Sequence, residues 1–166
     1  MQTLPSRIRA AAERGGHLTL VGDETPVRLA WADVLADAET MAAALAARAE
    51  AERIEERALV AEFEEAMGQG WAVNGVTPTL RALARGQLKL LVVRAGQTGW
   101  GFRCAGSGRL VAARDDSRNE GEPVPVADLV NEALEEALED GIEVVVVDDP
   151  DASAALDGIA GLLRFR

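Results

Sequence analysis

Cysteine is nearly absent from this chain: Cys104 is the only one in 166 residues. That excludes an internal disulfide and any structural zinc site built from several cysteines. Histidine is equally scarce. His17 is alone, and it stands far from Cys104 with no serine elbow beside it, so a nucleophile–histidine pair has little to draw on. It reads as a surface or turn residue. No apolar run approaches the roughly 18–20 residues that a bilayer crossing needs. The opening "MQTLPSRIRAAAERGG" lacks the apolar core of a secretory signal. These absences point to a cytoplasmic protein without a membrane partner. Phosphate-binding loops are missing as well. "GQGW" and "AGQTGWG" are glycine-rich, but neither has the Walker spacing or its closing Lys-Ser/Thr. "DDPD" at 148–151 reads as a turn and helix start rather than a metal site. No cofactor is implied, and catalytic chemistry is not visible; an enzyme using an unrecognised carboxylate site stands as the third reading.

What the chain does have is apolar residues, 48% of the total, and acid, with a formal net charge of −11. The first supplies a core and argues against disorder. The second opposes unspecific attachment to a phosphate backbone, so DNA is not an expected partner. The average conceals an asymmetry. From Arg81 to Arg114 the chain carries Arg81, Arg85, Lys89, Arg94, Arg103, Arg109 and Arg114 with no Asp or Glu. Such a stretch is either a solvated basic face or a contact surface for RNA or an acidic partner.

Periodicity sets the organisation. "LPSRIRAAAE" predicts a short helix, and "HLTLVGDETPVRLAW" extended chain with a turn at 22–26. From Ala32 a helical stripe begins, with Trp31, Val34, Leu35, Ala38, Met41, Ala42 and Leu45 at three- and four-residue steps. The stripe thins over "AARAEAERIEER" and resumes at Leu59, Phe63 and Met67. The thin part predicts a helical connector between two packing units, not one continuous core helix. The second unit alternates strands and helices. "NGVTPTLRALARG" predicts a helix capped by Thr77, with Pro78 in its first turn and Gly86 at its stop; "LKLLVV" follows as a strand. "GWGFRC" and "GRLVAA" are short candidate strands. "DLVNEALEEALED" is an amphipathic helix with Asp128 at its start and Gly141 past its end. "IEVVVVDD" predicts a buried strand with Val145 and Val147 covered on both faces. "DASAALDG" and "IAGLLRF" predict a short helix and a closing strand. The expectation is an α/β protein, an α/β/α sandwich with a mixed sheet, preceded by a helical N-terminal extension.

The residues Gly75, Val76, Thr79, Leu80, Ala82, Leu83, Gly86, Leu90, Leu91 and Val92, within "ERALVAEFEEAMGQGWAVNGVTPTLRALARGQLKLLVV", resemble the opening of a known domain. It is the C-terminal domain of the archaeal and eukaryotic class I peptide-chain release factor family, and the closest resemblance is to the bacterial branch. "WGFRCAGSG", "PVADLVNEALEEALEDGIEVVVVDD" and "LDGIAGLLRF" continue the resemblance in order, so it covers residues 53–166. Residues 1–52 then read as an N-terminal extension and linker helix, a remnant of the preceding release-factor domain. For residues 1–47 the opening of an adenylate-forming acyl ligase is the alternative. The resemblance also implies a fold related to the kink-turn-binding ribosomal proteins. Their Asn-Glu pair is replaced here by Thr77-Pro78, which argues against base-specific kink-turn reading.

Two departures shape the expected function. The Gly-Gly-Gln loop that carries ester hydrolysis in the family is absent from this sequence, since "GQG" at 68–70 and "GQT" at 96–98 have another order. The family's bacterial Cys-x-x-Cys pairs are reduced to Cys104 and Ser107. The implied function is a non-catalytic docking module, with the ribosome or a translation-factor protein as partner. The alternative is a structured-RNA-binding protein using the basic stretch 81–114. In both readings the contact residues are Arg81, Arg85, Lys89, Arg103 and Arg109. One thiolate and one hydroxyl cannot complete a tetrahedral zinc site. Elemental analysis of protein purified in metal-free buffer is therefore expected to find no stoichiometric zinc; one zinc per chain would contradict this.

Overall fold

A computed structural model describes residues 4–21, 27–117 and 120–165. The turn expected at 22–26 lies outside the described residues. The chain divides into two compact units, Met1–Glu52 and Arg53–Arg166. In the first, helix α1 (Leu4–Glu13) precedes an antiparallel hairpin of β1 (His17–Leu20) and β2 (Val27–Ala30). The Gly16 carbonyl accepts from the Trp31 N–H, which starts helix α2 (Trp31–Gly68) at the end of β2. A Cβ at Gly16 would sit 2.9 Å from the Trp31 ring, so only glycine fits that approach. His17 is exposed on β1.

Helix α2 is continuous over 38 residues, including the part predicted as a thin connector. Alanine, glutamate and arginine are strong helix formers, so the helix continues through a segment with nothing to bury. Its only buried residues are Val60 and Phe63. Met41 and Leu45, predicted to belong to a buried stripe, are exposed.

The second unit is built on a mixed four-stranded sheet in the order β3 (Ala72–Asn74), β9 (Ile159–Leu163), β4 (Leu88–Arg94), β8 (Glu143–Val147). β4 and β8 are parallel, while β9 runs antiparallel to both β3 and β4. The closing strand of the sequence is thus an inner strand of the sheet. "VVVV" is covered only in part: Val147 is buried as expected, but β8 is an edge strand, Val145 is half-buried and Val146 is exposed. A run of valines reads alike at a sheet centre and at an edge, because periodicity reports apolarity and not pairing.

Helices cover both faces. On one face α3 (Val76–Ala84) and α4 (Leu129–Glu139) bury Leu80, Leu83, Val130 and Ala137 against Leu88, Leu91 and Ile159. On the other, Val60 and Phe63 of α2 meet Val92, Val147, Leu156 and Leu162. This two-faced burial is what makes the unit a sandwich. Between β4 and α4 lies a second sheet in the order β6 (Leu110–Val111), β5 (Gly101–Cys104), β7 (Pro123–Val126), with a short 3-10 turn at Arg114–Ser117. β7 has no counterpart in the sequence expectations, because its two prolines hide the strand pattern.

Helix ends agree with local chemistry with one exception. The Asp128 carboxylate accepts from the N–H groups of Val130 and Asn131 at the start of α4. Gly86 (φ 64) and Gly141 (φ 67) follow α3 and α4 in the left-handed conformation expected of glycine after a helix. At the start of α3, however, the cap is Gly75 (φ 91) and not Thr77, which lies inside the first turn. The positive φ there favours glycine. No helix among the described residues is long and apolar enough to cross a membrane.

Burial sets a mutational contrast. Leu91 is fully buried on β4, so Leu91→Ala is expected to lower the unfolding free energy by about 2–5 kcal/mol. Val146 is 51% exposed, so Val146→Ala is expected to cost less than about 1 kcal/mol. Urea unfolding of the two variants measures both; equal losses would contradict the placement of β8 at the edge.

Candidate functional site

The basic stretch is divided by folding into cations that hold the structure and cations that face outward. Arg94 is the clearest structural one: its guanidinium donates to the carbonyls of Ser153 and Leu156, closing the turn after α5 (Pro150–Ser153). Arg103 ties β5 to α4, with Nη2 to Glu132 at 2.7 Å and Nη1 to Glu136 at 3.5 Å. It also donates to the Gly108 carbonyl at 2.8 Å. The hydrogen bond to Glu132 holds the Arg103 proton more firmly than usual. Arg114 lies over the Phe102 ring, 6.0 Å from its centroid.

Arg109 forms the strongest pair. Its Nε and Nη2 donate to the two carboxylate oxygens of Glu120 at 2.9 and 2.5 Å, the forked geometry that arginine and carboxylate favour. Nη2 also donates to the Asp116 carbonyl, and the Ser107 hydroxyl donates to Glu120 at 2.7 Å. The turn after Cys104 is therefore closed by a Ser107–Glu120–Arg109 network. Gly106 is part of that closure: its N–H donates to the Glu120 carbonyl, and a Cβ there would lie 2.7 Å from that oxygen. Cys104 itself is buried. Among the described residues no group of three or more His, Cys, Asp or Glu is placed to hold a metal ion.

Arg81 and Arg85 remain on the outer face of α3, one turn apart, while Leu80 and Leu83 point into the core. Arg81 has one loose acidic neighbour, Asp116 at 3.8 Å. Arg85, the C-cap that follows the last helical residue Ala84, has no ion pair among the described residues. The two line a cleft of about 320 Å³ with Ala84, Arg109 and Glu120. Thus three of the five predicted contact residues, Arg81, Arg85 and Arg109, come together. Arg103 is turned to α4, and Lys89 is exposed on β4 outside the cleft lining.

The sequence reading missed Asp116 and Glu120. Both lie just beyond the acid-free window, and the 3-10 turn folds them back against it. The cleft is a charged surface of mixed sign, without the apolar lining of a small-molecule site. Its chemistry suits carboxylates on a partner, which the two outward guanidinium groups can meet. Trp100 was also missed as a surface residue; it is 81% exposed between two glycines.

No protein-family model matches this sequence, and no curated protein does. Solved structures do match in fold. The C-terminal domain of a peptide chain release factor from Methanosarcina mazei superposes with a TM-score of 0.55 at 19% identity, covering 77% of this chain and 92% of that one. Archaeoglobus fulgidus Pelota gives 0.48 at 20% identity over 71% of this chain, and Thermoplasma acidophilum Pelota 0.46 at 22% over 69%. The chain spans about a third of the length of each Pelota structure: 32% and 30%. The fold is that of the release-factor C-terminal domain.

The Arg109–Glu120 pair carries a pH signature. The Arg109 hydrogen bond, helped by Ser107, brings the Glu120 carboxyl down from its ordinary 4.5 to about 2. A folded-state pKa below the unfolded value adds stability above pH 4.5 and loses it as the pH falls towards 2. Glu120→Gln is expected to melt lower than the parent at pH 7, with the gap closing between pH 4.5 and 2. Thermal melts of both proteins across that range measure it; a constant gap would contradict the pairing.

Proposed function

We propose that this protein is a non-catalytic, release-factor-like docking module that works with the ribosome or with a translation-factor protein. The observation that carries the reading is the match to the Methanosarcina mazei release-factor domain over 92% of that domain. The ordered sequence resemblance over 53–166 adds to it, and also supports membership of the bacterial branch and the distant relation to kink-turn-binding ribosomal proteins. Absence of the Gly-Gly-Gln loop from this sequence argues against ester hydrolysis. Residues 1–52 are, in the same reading, a remnant of the preceding release-factor domain with a linker helix.

Docking falls to Arg81 and Arg85. Arg81 stands on α3 and Arg85 caps its end, and their charge is not consumed inside the fold as that of Arg94, Arg103 and Arg109 is. A protein partner is favoured over structured RNA because Asp116 and Glu120 adjoin the cleft and the chain carries net acid. A polyanion meets repulsion from these two acids, whereas a protein surface of mixed sign can offer carboxylates to Arg81 and Arg85 and donor groups to Asp116 and Glu120.

Arg81→Glu combined with Arg85→Glu is expected to abolish co-sedimentation with ribosomes, or co-purification with a translation factor, while circular dichroism shows the parent fold. A folded double variant that still co-sediments would overturn the docking role. Binding to protein-free RNA, lost steeply as salt rises, would favour the RNA reading instead.

A further inference from the structure

The outer edge of β8 is a second surface, independent of the arginine cleft. The Val147 carbonyl accepts from Ala95 N–H at the end of β4. Backbone groups alternate in direction along a strand, so those of Glu143, Val145 and Val147 face β4 and those of Val144 and Val146 face outward. β8 ends the strand order, and no backbone group outside the sheet bonds to Val144 or Val146 among the described residues. The open window has defined limits. Ile142 N–H donates to the Ala137 carbonyl before it, and Asp148 N–H donates to the Glu56 carboxylate at 3.1 Å after it.

Natural edges are blunted by lysine, proline or a bulge. β8 is "EVVVV", paired in unbroken register with β4, and has none of these. Apolar side chains flank it: Val146 is 51% exposed, and Leu138 on α4 is 63% exposed. Acid stands at both ends, with Glu139, Asp140 and Glu143 before the window and Asp148 and Asp151 after it, all exposed. Residues 120–163 carry no Lys or Arg, and Arg57 of α2, which reaches the far end, is held by Asp149 at 2.7 Å.

We propose that β8 is a strand-addition site for an extended segment of another protein, apolar at its centre and carrying Lys or Arg at both ends. The outward backbone groups supply the ladder, the valines the apolar contact and the terminal acids the charge match. A second copy fits worse. In an antiparallel two-fold pairing, Glu143 and its neighbours would face Asp148 and Asp151 of the partner copy, which sets like charges opposite.

The test uses the full chain and two labelled peptides, Lys-Arg-Val-Thr-Val-Thr-Val-Arg-Lys and its counterpart with Glu at the four basic positions. Fluorescence anisotropy is expected to show at least about tenfold tighter binding of the basic peptide, and hydrogen exchange to show new protection at the Val144 and Val146 amides. Val146→Pro removes an outward donor and should abolish binding. If that variant fails to fold, Glu143→Lys with Asp151→Lys serves in its place and should weaken or remove the preference for the basic peptide; an unchanged preference overturns the charge match. Equal binding of both peptides, or no protection at Val144 and Val146, overturns the proposal. So does a dimer of the free chain by sedimentation that protects the same amides, which would give the edge to a second copy.

Discussion

The carbonyl of Ile159 holds the second unit together. It accepts from the Gly75 N–H at 2.9 Å and from the buried Thr79 hydroxyl at 3.4 Å, fixing the first turn of α3 onto the inner strand β9. β9 can sit between β3 and β4 because Ala160 and Gly161 keep it slim; a Cβ at Gly161 would lie 2.5 Å from the Leu88 side chain. Once β9 is seated, the direction of α3 follows, and with it the side of the helix on which Arg81 and Arg85 emerge. The far end of the same sheet is fixed by a side-chain carboxylate. Glu56 of α2 accepts from the N–H groups of Asp148 and Asp149, and Arg57 pairs with Asp149 at 2.7 Å. That contact ends β8 and leaves its edge open over a short window.

Much of this architecture was legible where local chemistry and tertiary demand agree. The helix at 129–139 carries its cap, its stripe and its terminal glycine in sequence, and the fold uses all three. The α/β alternation and the mixed sheet follow from the same reading. What stayed hidden depends on pairing across distance. "IEVVVVDD" announces a strand but not its edge position, and "PVPV" conceals one. Thr77 looked like the cap, yet the backbone bond from Gly75 to Ile159 draws the helix start back past it. The stripe at Met41 and Leu45 has helical spacing, but the described residues offer it no cover.

The candidate site was half legible for a related reason. Charge counted along the chain marked out a basic segment, and three of its predicted contacts do share a cleft. Sequence distance could not show that Glu120, Glu132 and Glu136 return to neutralise Arg109 and Arg103. Folding therefore turns a uniform basic stretch into a structural frame plus two outward guanidinium groups, one on α3 and one at its C-cap. In a chain of net charge −11, such a pair forms a local contrast against an acidic surface. It suits orientation-specific recognition better than general adhesion to polyanions.

The docking role of α3 depends on the identity of what meets it. A photo-crosslinking amino acid placed at position 85, at the mouth of the cleft, reports that contact in living cells without relying on loss of binding. A docking surface at α3 gives a light-dependent adduct to one protein of the ribosome or the translation machinery, absent when the same group is placed at the buried position 91. Adducts to RNA alone, or none from a folded and expressed protein, would contradict it.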